Sequence, residues 1–181
     1  IVPTLSDVQM NPNQGFAGGT LTLSGSGFAE GASAVLFGSQ RVDDASRNQG
    51  LNISNNAMTL QVPSSLPTGP IRVSTVGGTS AAFGLSLASI TASAGSGTPV
   101  NAAQASAQPG QPVTLVGVGL DVSTDVVFRV VDAAGTQSDL VVHPTTVNAA
   151  GTQAQVLVPY NAITGVVRVV GDANNASVAL Q

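Results

Sequence analysis

The sequence predicts an all-β chain made of two tandem domains of about ninety residues each, and three observations carry that prediction. First, one string of residues is written twice: Thr22-Leu23-Ser24-Gly25-Ser26-Gly27-Phe28 returns as Thr114-Leu115-Val116-Gly117-Val118-Gly119-Leu120. Further on, Val62-Pro63 and Thr68-Gly69-Pro70-Ile71-Arg72-Val73 return as Val158-Pro159 and Thr164-Gly165-Val166-Val167-Arg168-Val169. The offset is 92 residues in the first block and 96 in the second, the mark of a duplicated domain with a small insertion. Second, 21 glycines and 10 prolines punctuate the 181 residues, the density of turns that many short strands require. Third, no stretch holds a helical period, while several alternate with the period of two of a half-buried strand.

In the first unit, residues 3–9 read as the opening strand, closed by Asn11-Pro12-Asn13-Gln14-Gly15. Residues 20–24 alternate, with Leu21 and Leu23 inward and Thr20, Thr22 and Ser24 outward. Gly25 and Gly27 let the backbone kink and return Phe28 to the core. Residues 34–37 form a short buried strand ended by Gly38. Residues 59–62 alternate again and stop at Pro63, which has no N–H to give a ladder. Residues 71–76 and 80–87 flank Gly77-Gly78, the signature of a tight hairpin.

The second unit repeats the order with strands at 113–116, 126–131, 140–143, 155–158, 166–170 and 177–180. Asp132-Ala133-Ala134-Gly135 and Asp172-Ala173-Asn174-Asn175 suit turns. Ser89-Ile90-Thr91 falls where Thr4-Leu5-Ser6 stood, an offset of 85. The Gly/Ser/Ala-rich run 95–108 is then a lengthened loop inside the second unit, the linker is a few residues around 86–88, and the domains divide as 1–87 and 88–181. A linker this short predicts a semi-rigid rod; the composition of 95–108 taken alone would place a flexible hinge there instead.

Hydrophobic residues make up 43% of the chain but aromatics only 3%, so the cores are thin and built mainly from Val, Leu and Ala. Charge is sparse: five Arg, no Lys, nine acidic residues, net −4. Binding to nucleic acid or to anionic membrane needs a basic surface, and there is none. No apolar run reaches the length of about eighteen residues that a membrane span needs. With no cysteine, disulfides, thiolate metal sites and thiol nucleophiles are excluded together. The low charge and the abundance of Ser, Thr, Asn and Gln match secreted bacterial proteins, and Ile1 is not an initiator, so the chain reads as a segment of something longer.

An ordered set of residues in the first unit carries a family resemblance: Asn11-Pro12 with Gly15, Gly18-Gly19-Thr20, Leu23-x-Gly25-x-Gly27-Phe28, Val35-Leu36-Phe37-Gly38, Val62-Pro63, and Gly69 before the last hairpin. Residues 2–87 resemble an IPT/TIG domain, which implies an immunoglobulin-like β-sandwich, and the expected fold is therefore two such sandwiches in tandem. The second unit resembles it less closely. Gly110, Gly117-x-Gly119, Pro159 and Gly165 persist, but Leu120 replaces the phenylalanine and Phe128-Arg129 replaces Phe-Gly. The family serves in cell-surface receptors, bacterial surface proteins, accessory domains of starch-acting enzymes and Rel-type transcription factors. The last branch contacts DNA through basic loops, which this chain lacks.

No constellation points to catalysis. His143 is the one histidine, at the end of a strand in Val141-Val142-His143-Pro144, and nothing near it in sequence supplies the partners of a hydrolytic site. Asp43-Asp44 would diverge on a strand, and Asp121 with Asp125 reads first as turn chemistry. Asp121, Asp125, Asp172 and Asn174 are oxygen donors near domain ends and form a minor calcium candidate, without any Asp-x-Asp-x-Asp-Gly pattern. Asn52-Ile53-Ser54 and Asn175-Ala176-Ser177 match glycosylation acceptors at a frequency close to chance.

Comparing the copies exposes one further pattern. Ser24, Gln61 and Ser74 stand outward in the first unit, and their counterparts are Val116, Leu157 and Val170. In the immunoglobulin-like topology the strands of Val116 and Leu157 are neighbours, so the three are a candidate interaction face.

The expectation is a non-catalytic tandem segment of a larger secreted or surface-anchored bacterial protein. It would space and present other domains of that protein and bind a protein or glycan partner, with no nucleic-acid or membrane partner and no cofactor beyond the calcium candidate. The alternative is an accessory, carbohydrate-associated module of an extracellular polysaccharide-active enzyme, in which Tyr160 would be the stacking ring.

Overall fold

Leu21 and Leu23 are fully buried while Thr20 and Ser26 face solvent, so the alternation of this segment becomes a strand with one face on a core. The computed structural model describes residues 1–43, 52–54, 56–65 and 67–181, and Asp44 of the Asp43-Asp44 pair lies outside them. Sixteen strands run through the described residues. The first eight are β1 (Thr4–Met10), β2 (Thr20–Ser26), β3 (Ser33–Phe37), β4 (Gln40–Asp43), β5 (Asn52–Ile53), β6 (Ala57–Gln61), β7 (Ile71–Thr75) and β8 (Gly78–Thr79). They form two antiparallel sheets, in the orders β1-β2-β6-β5 and β4-β3-β7-β8.

The next eight are β9 (Ser86–Thr91), β10 (Pro112–Val118), β11 (Val126–Val131), β12 (Gln137–Val142), β13 (Thr146–Val147), β14 (Gln153–Leu157), β15 (Gly165–Val169) and β16 (Val178–Leu180). Their sheets, β9-β10-β14-β13 and β12-β11-β15-β16, repeat the first pair strand for strand. Each pair closes on an apolar core: Leu21, Leu23, Phe28, Phe37, Leu60 and Ile71 in the first unit, and Leu87, Leu115, Leu120, Phe128, Val156 and Val169 in the second. The chain is all-β, two immunoglobulin-like sandwiches in tandem.

The recurrent Gly-x-Gly has a separate reason at each glycine. A Cβ on Gly25 would overlap the Thr4 carbonyl oxygen, and one on Gly117 would overlap that of Ser86, because the opening strand of each unit crosses there at a bulge. Gly27 and Gly119 have φ of 74° and 72°, left-handed backbone that turns the chain back into the core. Phe28 and Leu120 then fill equivalent buried positions.

The ladder sets the register of the second unit's opening strand. Gly117 pairs with Leu87 as Gly25 pairs with Leu5, so Leu87, and not a later residue, takes the place of Leu5 at an offset of 82. Ser86–Thr91 is one strand bonded to β10, and the division at 87/88 falls inside it. The strand expected at 80–87 does not form as one element. Its first residue, Ser80, accepts the Val73 N–H through Oγ and donates its own N–H to Val73 O, which breaks the ladder after β8. The run 95–108 lies between β9 and β10; its Ala105 O accepts the Gln181 N–H, and its Ala107 N–H donates to Gln181 O.

Candidate functional site

The two sandwiches meet over a polar and apolar junction whose parts come from loops of the first unit and the β12-β11-β15 face of the second. Residues 13–16 pair along β12: Asn13 N donates to Val141 O (2.8 Å), Val141 N to Gln14 O (2.8 Å) and Phe16 N to Asp139 O (3.1 Å). On the far side, Gly171 N donates to Thr68 O. Val127, Val141 and Val170 point outward from the second unit's own core and are buried in the first unit's cluster instead. Val170 is 1% exposed.

At the centre lies Asp125, the residue before β11, also 1% exposed. Register places it where the first unit has buried Ala34. Its Oδ2 accepts the Met10 N–H at 2.8 Å, and its Oδ1 lies 2.8 Å from His143 Nε2. That nitrogen also stands 3.1 Å from Met10 O. A carbonyl only accepts, so the arrangement calls for an Nε2–H donated toward both oxygens. Burial pushes the Asp125 carboxyl up to about 7, against the hydrogen bonds from His143 and Met10 N–H that lower it. Nearby, Asp139 joins Arg129 Nη1 (3.0 Å) and Arg168 Nη2 (2.7 Å) while its backbone carbonyl holds Phe16.

Against this geometry the residues singled out in the sequence separate. Asp121 caps its own turn, Oδ1 accepting Ser123 N–H at 2.9 Å. Asp172 is buried, Oδ1 taking Asn174 N–H and Oδ2 taking Leu87 N–H and Ala176 N–H, so it ties the second unit's last turn to the start of β9. Asn174 is exposed. Among the described residues no three His, Asp or Glu side chains come together as a metal site, and the four calcium candidates serve separate turns and the junction. Asp43 pairs with exposed Arg41 at 2.7 Å.

The apolar face is also corrected. Val170 belongs to the junction, on a different sheet from the other two. Val116 pairs with Gln153 and Leu157 with Pro112, so these two occupy opposite ends of the β10–β14 ladder and form no continuous stripe. His143, read as a strand-end side chain, is a junction residue. Its partner Met10 is 133 residues away, a separation that no local pattern spans. The available signal was a carboxylate entering a run of buried valines.

Beside the junction opens a cleft of about 460 Å³, lined by Pro12 and Asn13 from the first unit and by His143, Leu157, Tyr160 and Asn161 from the second. Tyr160 is 89% exposed and Leu157 48%.

Two sandwiches of identical strand order, each with its Gly-x-Gly crossing, define a tandem immunoglobulin-like protein. Residues 3–92 match the family model of the IPT/TIG domain, and the chain belongs to that family through its first unit. The match extends through β9. Among solved structures, the chain is similar to a surface glycan-binding protein from Prevotella bryantii, at 13% identity and a TM-score of 0.30, covering 98% of this chain and 41% of that one. It is also similar to a tetra-tandem repeat in the extending region of a large adhesion protein, at 16% identity and a TM-score of 0.25, covering 99% and 47%. The chain spans less than half the length of either. No curated protein matches it. Among the described residues no helix is long and apolar enough to cross a membrane.

Proposed function

We propose that the chain is a non-catalytic, stiff two-domain segment of a larger secreted or surface-anchored bacterial protein, which spaces and presents neighbouring domains and supports adhesion to a protein or glycan partner. The observation that carries this reading is the backbone pairing of residues 13–16 with β12, closed by the Asp125–Met10 hydrogen bond. A flexible string of beads needs no such ladder, whereas a spacer that holds a fixed orientation does. An extracellular, cell-surface or periplasmic location accords with the low-charge composition rich in Ser, Thr, Asn and Gln.

The test is residual dipolar coupling measured on the intact chain. One alignment tensor fitting both units supports the stiff spacer; two independent tensors overturn it. The carbohydrate-associated alternative is favoured by one feature, an exposed Tyr160 beside the cleft.

A further inference from the structure

We infer that the cleft beside Tyr160 is a binding site for a neutral oligosaccharide, with one sugar ring stacked on the tyrosine and its hydroxyls met by the amides of Asn13 and Asn161. The volume of about 460 Å³ lies in the range of small-ligand sites. Tyr160 is the chain's one tyrosine and is nearly fully exposed, yet it is held in place. A Cβ on Gly110 would approach Tyr160 Cε1 to 3.0 Å, so the ring rests on bare glycine backbone, and the residue preceding the tyrosine is Pro159, whose own φ is fixed. Ordering the ring in advance lowers the entropic cost of binding.

The remaining lining selects the chemistry. Asn13 sits at φ 65°, anchored by its N–H to Val141 O, and the side-chain amides of Asn13 and Asn161 make no hydrogen bond within the described chain. Leu157 adds an apolar wall. No Lys, Arg, Asp or Glu lines the cleft, and His143 is engaged with Asp125 and Met10, so a charged ligand finds no counter-charge. A sugar ring has an apolar C–H face and a rim of hydroxyls, which a ring flanked by neutral amides satisfies. A proline-rich peptide would ask for several aromatic ridges, and the cleft has one ring.

The site rests on the docked arrangement, since Pro12 and Asn13 come from the first unit and the rest from the second. The experiment is ¹⁵N NMR titration of the intact chain with oligosaccharides of xylan, mannan, β-1,4-glucan and α-1,4-glucan, and separately with octaproline. The expected result is chemical-shift change at Asn13, Leu157, Tyr160 and Asn161 with at least one sugar, an affinity lowered about tenfold or more by Tyr160→Ala, and lowered also by Leu157→Gln. Val116→Ser, on the same sheet outside the cleft, should leave binding unchanged, and all variants should keep the parent melting temperature. Silence of these amides with all four sugars, undiminished affinity in Tyr160→Ala, or a response to octaproline in place of the sugars each overturns the proposal. Hydrogen exchange of the Asn13 and Gly171 amides in the same sample reports docking. Protected amides with no sugar response would sink the binding site and leave the spacer standing.

Discussion

Met10 N–H donates to Asp125 Oδ2 at 2.8 Å, a bond from the last residue of β1 to the residue just before β11. The same carboxylate meets His143, whose Nε2 also reaches Met10 O, so both polar atoms of one backbone residue in the first sandwich are satisfied by side chains of the second. Such a pair is costly to leave unmade when buried. It ties the stability of the junction to the protonation of one acid.

Stability should fall as pH rises from about 4 through 7. Burial, opposed by the hydrogen bonds from His143 and Met10, raises the folded Asp125 to about 7 from an ordinary value of 3.8, with Asp7 adding to the rise. The folded state then holds a proton that the unfolded state releases, and the stability this group contributes is fully present below 3.8 and lost as pH passes 7. Asp125→Asn keeps an acceptor for Met10 N–H and should flatten this part of the profile. Melting temperatures of both proteins from pH 4 to 8 check it.

Val170→Ser restores the residue type that the first unit carries at Ser74. Because Val170 is buried in the first unit's cluster, the change should cost about 2–4 kcal/mol. It should also separate the unfolding of the two units in urea. Ser74→Val, at a half-buried position where only the hydrogen bond from the Thr79 hydroxyl is lost, should cost about 1 kcal/mol or less.

Gly25→Ala and Gly117→Ala each force a Cβ onto a backbone carbonyl of the opening strand. A loss of about 1–3 kcal/mol or more is expected for each. Gly84→Ala meets nothing within 4 Å and carries no positive φ, so it should be neutral or slightly stabilising. Chemical denaturation of the three variants separates close approach from a general intolerance of the added methyl.

Calcium should leave the melting temperature unchanged relative to a chelated control. The oxygens of Asp121, Asp125 and Asp172 already accept N–H groups at separate places. A clear upward shift would require a native-state site and would overturn this account of those carboxylates.

Much of the architecture was legible because it is local. The period of two at Leu21 and Leu23, the stop at Pro63, the Asp132 to Gly135 turn and the doubled Gly-x-Gly each depend on a few neighbouring residues, and each appears in the fold where it was read. Duplication added the pairing of strands, since two copies of one pattern fold to one sheet order. The opening strand of the second unit was less legible: Leu87 and Ile90 are both apolar residues followed by small ones, and only the ladder shows that Leu87 takes the place of Leu5.

The sequence by itself determined two all-β units, their strands and the inward residues of each. It also showed that some outward positions of the second copy had become apolar. Only the tertiary structure decided what those positions meet: Val170 seats in the first unit's core, while Leu157 stays open at the cleft edge. It alone joined Asp125, His143 and Met10 and brought Tyr160 and Asn13 to the lining of one cleft. The pleat sets which side of a strand a residue faces within two residues of chain. The partner covering that side is chosen by packing between segments more than a hundred residues apart, and short-range periodicity holds no record of that choice.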